Sequence, residues 1–316
     1  MKVLMTGATG LVGTALTAAL VRDGHTVCRM VRRETVSRKA GARAQAAGPR
    51  VIDVPWDPEA SGGLTFADSQ GEIGGADAVV NLAGASIAGM RWTQQGKMVL
   101  RSSRVRTTGS LVTALGRLKT APKVLVSASA IGYYGDRGED VLREDSTSGQ
   151  GFLPEVCREW ERATEPATKA GIRAAQMRFG VVLSSSGGAL QKMLLPFRMG
   201  VGGNMGNGRQ WLSWVDIDDL VGAVQHIIDT ETLQGPVNVV GPNPVRNAEF
   251  TKTLASVLWR PAIFPMPAFA ARLVFGQMGD ELLLASQRVE PAKLLASGYV
   301  FQKPDLRSAL EGILKK

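Results

Sequence analysis

The 316-residue chain is 44% hydrophobic, carries a formal net charge of +9 and has only two cysteines and two histidines. That length and composition allow a large α/β domain with an appendage, or two domains, and a full apolar core. Two lone cysteines, Cys28 and Cys157, and the well-separated His25 and His226 give neither a disulfide framework nor a metal centre, and no run reaches the ~20 apolar residues of a membrane span, so a soluble, cytoplasmic protein with no membrane partner is expected.

Residues 3–5, Val-Leu-Met, are a short apolar run that reads as a strand. Gly7, Gly10 and Gly13 follow, and the apolar stretch 11–20 then continues as a helix. Strand, glycine turn and helix make a dinucleotide-binding unit. Glycines let the backbone bend sharply and let a pyrophosphate approach its N–H groups, while the helix N-terminus favours negative charge. The spacing is G-x-x-G-x-x-G, with Thr9 where the G-x-G-x-x-G fingerprint has its second glycine.

Gly24-His25 stops the helix, and residues 26–31 read as a second strand with Arg32 and Arg33 at its carboxyl end. An acidic residue there would bond the ribose hydroxyls of NAD; arginine suits the 2′-phosphate of NADP, which makes NADP(H) the expected cofactor. Arg29, Arg32, Arg33, Arg38, Lys39, Arg43 and Arg50 are opposed only by Glu34, and form either a landing surface for phosphates or a solvated basic face. The stretch has no aromatic residue on which a base could stack, so nucleic acid is not expected as a partner. Residues 39–48 read as a helix or loop, and 51–54 as a third strand.

A fourth strand at 78–82 runs into Asn81-Leu82-Ala83-Gly84, small enough at its end for the backbone to lie against a flat nucleotide. A long helix at 93–118 carries Arg104, which faces either cofactor or solvent. The strand at 123–127 continues into Ser129, Tyr133 and Tyr134, the expected wall of the active site, because open α/β sheets bind ligands at strand carboxyl ends. Residues 154–169 read as one helix and 173–179 as a sixth strand, for a parallel order 3-2-1-4-5-6. Beyond a helix at 190–197, residues 200–208 hold five glycines and read as a flexible segment. A helix at 217–229 and a strand at 237–240 precede a mainly helical tail interrupted by Pro261, Pro265 and Pro267.

The expected fold is therefore α/β: a Rossmann-type doubly wound parallel sheet with a small, mainly helical C-terminal cap. Residues 1–183, rejoined by 209–242, are assigned to the dinucleotide-binding domain, and 184–208 with 243–316 to the cap. The substrate, a small molecule, is expected in the cleft between them, where Arg91, Ser129, Tyr133, Gln210 and Asp216 would supply polar groups.

The segments GATGLVG (7–13), NLAG (81–84) and SASAIGYYG (127–135) resemble the extended short-chain dehydrogenase/reductase superfamily. With RWT (91–93), REWE (158–161), LLPF (194–197) and GRQWLSWVDIDDL (208–220), the whole chain looks like the sugar-nucleotide epimerase-like group within it. The resemblance implies NADP(H) bound by the backbone around Gly7, Thr9, Gly10, Leu11, Val12 and Gly13, by Arg32 and Arg33, by Leu82, Ala83 and Gly84, and by Arg104 and Val182. It also implies a homodimer, the habit of the superfamily. Such enzymes use serine, tyrosine and lysine; Ser129 matches the serine. The Y-x-x-x-K pair does not match, because Cys157 and Glu161 stand in its place, and a carboxylate there would disfavour a phenolate. Tyr133 or Tyr134 is then the expected proton donor. The function implied is an NADP(H)-dependent oxidoreductase or epimerase acting on a carbonyl or sugar-nucleotide-like substrate. The alternative is a non-catalytic NADP(H)-binding sensor or scaffold linked to cell division.

Overall fold

Seven strands follow from apolar runs short enough to cross a sheet: β1 (Lys2–Thr6), β2 (Thr26–Arg32), β3 (Val51–Trp56), β4 (Ala78–Asn81), β5 (Val124–Ala130), β6 (Arg173–Phe179) and β7 (Gly235–Val239). In the computed structural model, which describes residues 1–32, 50–57 and 73–315, they form one parallel sheet in the order β7-β6-β5-β4-β1-β2-β3. The expected order of six strands is present, and β7 extends it beyond β6. The stretch 39–48, Arg33 and the side chain of Arg32 lie outside the described residues.

Alternate residues of each strand enter opposite cores, as they must where both faces are covered. Val3, Met5, Val80, Val126 and Met177 pack with Leu16 and Leu20 of α1 (Leu11–Arg22) and Val224 and Ile227 of a later helix. Leu4, Val79 and Leu125 face the other way, against Leu111 and Leu115 of α2 (Gln94–Leu115). Each such buried aliphatic contributes about 1.5–3 kcal/mol relative to the exposed side chain.

Local chemistry sets the helix ends. Gly24, at φ 87°, lets His25 N–H return to the Leu20 carbonyl at 2.8 Å and close α1. Thr93 caps α2 by accepting from Gly96 N at 3.1 Å. The expected single helix at 154–169 is two: α3 (Phe152–Arg162) and α4 (Glu165–Lys169). Pro166 has no N–H with which to continue the ladder, so the chain restarts there.

The cap core is built from α5 (Gly188–Arg198), α7 (Asn247–Leu258) and α10 (Leu306–Leu314) around Leu190, Leu194, Phe197, Phe250, Leu254 and Leu310, while α8 (Ala268–Phe275) packs on the following segment Gly279–Leu284. Between α5 and α7, α6 (Ile217–Asp229) returns to the sheet, its first turn capped by Asp216 accepting from Asp218 N at 2.8 Å. The short α9 (Ala292–Ala296) lies beside β7. Trp259 ends α7 in the left-handed region (φ 54°), which bulky L residues rarely adopt. The prolines that follow keep 260–267 out of helix until Pro267 opens α8. Residues 202–206, part of the segment expected to be flexible, bond to this stretch: Phe264 N donates to Gly202 O at 3.1 Å and Gly206 N to Met266 O at 2.8 Å.

Candidate functional site

The carboxyl ends of β1, β4 and β5 stand side by side, with Thr6 opposite Asn81 and Asn81 opposite Ser127. Just past them, the backbone of 7–13 forms a cradle that only glycine permits. Gly7 has φ 65°, and a Cβ on it would lie 2.4 Å from Leu82 O; a Cβ on Gly13 would lie 2.3 Å from Gly7 O. Gly10 N donates to Gly7 O at 3.0 Å, and α1 starts directly behind it with no side chain capping its N-terminus. A tight glycine turn packed backbone to backbone against Leu82 and Ala83, and ending on helical N–H groups that no side chain caps, fits a pyrophosphate. A buried ladder holds Leu82, Ala83 and Gly84 against this cradle: Thr6 Oγ1 donates to Asn81 Oδ1 at 2.7 Å and accepts from Ala83 N at 3.3 Å. Asn81 Nδ2 donates to Thr108 and Ser127, and Trp160 Nε1 also donates to Thr108 Oγ1.

Two outlying residues expected at the cofactor are brought to the same place. Arg104 packs beside Gly84, donates to Ala85 O at 2.9 Å and to Leu100 O at 3.1 Å, and lies over the Trp160 ring. Burial lowers its pKa. Val182 pairs with Val215 in a short parallel ribbon, and the glycines that follow it, Gly187 and Gly188, pack on the Leu11 side chain.

At the end of β5 the chemistry changes from backbone to side chain. Ser129 is buried and donates to Glu161 Oε1 at 2.7 Å. Glu161, on α3, is gripped by Arg178 of β6 through two hydrogen bonds of 2.8 Å each. Arg178 Nη1 also donates to Tyr134 Oη at 2.9 Å, and the guanidinium lies 3.5 Å from the centroid of the Tyr133 ring. Tyr134 is wholly buried; its hydroxyl lies 2.7 Å from Asn238 Oδ1 and 2.9 Å from Arg143 O. Burial pushes its pKa up to about 12 against the opposing pull of Arg178. Arg178 itself is raised, because the hydrogen bonds and charge of Glu161 outweigh desolvation, its largest single cause.

Cys157 sits under this cluster, 3% exposed, and burial with the nearby Glu161 carboxylate raises its thiol to about 12. It is a buried, packed thiol, and burial holds it in the protonated form.

Arg178 and Asn238 complete this network, and the sequence reading passes over both. The signal was present for Arg178: an arginine inside an otherwise buried parallel strand must have a charged partner. That partner lies on a separate helix, so its identity is not local information.

Two adjoining cavities of about 220 and 390 Å³ lie between the Tyr133 turn and the cap, and both are lined by Asp136, Arg272 and Leu284. Gln210 lines the second, its amide donating to Met205 O and Leu283 O. Arg91, Ser129, Tyr133 and Asp216, the other residues expected in the cleft, line neither. Asp216 is instead buried as the cap of α6, where Lys303 Nζ reaches it at 3.1 Å. Among the described residues there is no cluster of potential metal ligands.

The model of the NAD dependent epimerase/dehydratase family matches residues 3–241. The chain belongs to that family. A second model, a domain of unknown function (DUF1731), matches residues 266–313 in the cap. Within the epimerase family, the crystal structure of human epimerase family protein SDR39U1 (isoform 2) with NADPH superposes with a TM-score of 0.85 at 34% identity, over the full length of both chains. Epimerase family protein Mb2239 of Mycobacterium bovis is 40% identical over 98% of this chain and 96% of its own length. The chloroplastic SDR39U1 homolog of Arabidopsis thaliana is 37% identical over all of this chain and 87% of its own.

Proposed function

We propose that the protein is an NADP(H)-dependent oxidoreductase or epimerase of the extended short-chain type, acting on a hydroxyl or carbonyl of a sugar-nucleotide-like substrate. The observation that carries this reading is the placement of the glycine cradle after β1 and of Ser129 at the end of β5 on one edge of the sheet, with only β4 between them, and a cavity opening at Gly132 in the turn that follows Ser129. The NADPH of the human relative supports the choice of cofactor. In this reading the backbone of 7–13 takes the pyrophosphate, Arg32 and Arg33 take the 2′-phosphate, and Leu82 to Gly84, Arg104 and Val182 enclose the rest. The bound dinucleotide supplies hydride transfer.

The chain supplies orientation and proton handling. Ser129 already gives its proton to Glu161, so toward a substrate it offers lone pairs, and a substrate hydroxyl is the group that would donate to it. Arg178 answers the charge of Glu161 and provides the cation that the missing lysine would have supplied. Tyr134 is tied into the packed network on three sides, which leaves Tyr133 as the tyrosine that exchanges a proton with substrate.

Side-by-side fluorescence titrations with NADPH and NADH test the cofactor half. NADPH is expected to bind at least about tenfold tighter, with the difference erased in R32A/R33A, as loss of charge-assisted phosphate contacts implies. Incubation with NADP⁺ and a panel of sugar nucleotides, followed by nicotinamide absorbance and product chromatography, tests the rest. A second reading, a non-catalytic sensor or scaffold, is favoured by Cys157 and Glu161 at the Y-x-x-x-K positions; tight NADPH binding with no turnover on any panel member would select it. Binding of neither dinucleotide would remove both.

A further inference from the structure

One side of the cap stays outside every core. Trp259 is 84% exposed, Ile263 71%, Phe269 72% and Leu273 85%, with Phe264 and Val274 also exposed. Phe269 and Leu273 are four residues apart on α8 and so form one stripe. This stretch is bonded to a second exposed one. Arg260 Nε donates to Arg198 O at 3.0 Å and Phe264 N to Gly202 O at 3.1 Å, which sets Leu195, Met199 and Val201 alongside it. Contiguous apolar surface of this kind marks an interaction face.

The two stretches that form the face contribute cations and no acid of their own, and Asp280 borders it as the partner of Arg272. No aspartate or glutamate occurs from residue 184 to 215 or from 250 to 279. Lys192, Arg198, Lys252 and Arg260 are exposed there, and Arg272 pairs with Asp280 just beyond the second stretch. Apolar and aromatic side chains ringed by cations suit the boundary between headgroups and acyl chains of a negatively charged bilayer. A second copy of the chain suits it less, because a two-fold contact sets each patch against itself and brings its exposed cations, Arg198 and Arg260 among them, toward their own copies. The expectation of no membrane partner rested on the want of a spanning run. Among the described residues no helix is long and apolar enough to cross a membrane, but a face that lies on a bilayer needs none.

We propose that this face seats the protein on the surface of an anionic phospholipid bilayer. The test is flotation of the full chain with vesicles of phosphatidylglycerol and phosphatidylcholine, against phosphatidylcholine alone. The protein is expected to float with the anionic vesicles and to be released by high salt. F269S/L273S and, separately, R198Q/R260Q should each weaken this by about tenfold or more, as the loss of two interfacial apolar groups or two surface cations implies. Circular dichroism melting and NADPH titration of both variants should match the parent. Absence from the anionic vesicles, or equal flotation with the neutral ones, would overturn the proposal. So would a stable dimer in light scattering that F269S/L273S dissociates, which would give the face to a second copy.

Discussion

The glycine cradle after β1 and the polar cluster at the end of β5 are separated by one strand yet are made of different materials. In the cradle, the shape comes from backbone: Gly7 and Gly13 are there because any Cβ would strike Leu82 or Gly7 at 2.4 Å or less. In the cluster it comes from long side chains that cross between elements, with Glu161 from α3, Arg178 from β6, and Ser129 and Tyr134 from β5 and the turn after it. A backbone site is specified by residues adjacent in the chain and tolerates no added atoms. A side-chain site is specified by pairing, and its failure mode is an unanswered charge.

The sharpest way to break this contrast is to remove one partner of the buried pair. Arg178→Met leaves the Glu161 carboxylate uncompensated at a site where the side chains are 3% and 14% exposed, and should cost about 3–5 kcal/mol in urea unfolding. Adding Glu161→Gln should recover much of that loss. A single-variant cost below about 1 kcal/mol would mean that the pair is solvated and the contrast false.

At the other end, Gly7→Ala combines a left-handed backbone with a contact that nothing but backbone can relieve, and should cost about 2–3 kcal/mol together with NADPH binding. The control is Gly109→Ala in the middle of α2, where an added Cβ meets nothing within 4 Å. It should stabilise by about 0.5–1 kcal/mol, the ordinary helical gain over glycine. If both variants behaved alike, the cradle would not be the reason for Gly7.

The smallest effect is a pH slope. Cys157 and Tyr134 both have folded pKa values raised to about 12, from ordinary values of 9.0 and 10.0. A raised folded pKa holds the proton in the native state, so the stabilisation is complete below the unfolded pKa and is lost as pH climbs from about 9 toward about 12. Thermal midpoints should fall over that range, less steeply in Cys157→Ala. Native Cys157 should also resist a thiol reagent at pH 8 that labels it rapidly in urea.

Legibility followed the same divide. The strands β1, β2, β4 and β6 and the helices α1, α2 and α6 appear in the sequence as apolar runs, periodic stretches and capping residues such as Thr93 and Gly24, which act over a few residues. The break between α3 and α4 at Pro166 was also written locally, though read as one helix. Arg178 was visible only as an anomaly, a cation in a buried strand, and its partner could not be named because α3 and β6 meet only in the folded chain. Asp216 misled in the other direction: it was expected to supply a polar group to the cleft, but in the structure it is buried, with one carboxylate oxygen accepting from both Asp218 N and Lys303 Nζ at the start of α6.

By itself, then, the sequence determined the parallel sheet, its order through six strands and the glycine turn at its centre, since these depend on residue size and spacing within single segments. Only the tertiary structure decided that Glu161 is neutralised by Arg178, that Ser129 gives its proton inward, and that the two acid-free stretches 184–215 and 250–279 share one apolar face. Those are matters of which surfaces meet. Burial makes each such meeting energetically decisive, because a charge or apolar group has a fixed cost in water or in the core that only its neighbours can change.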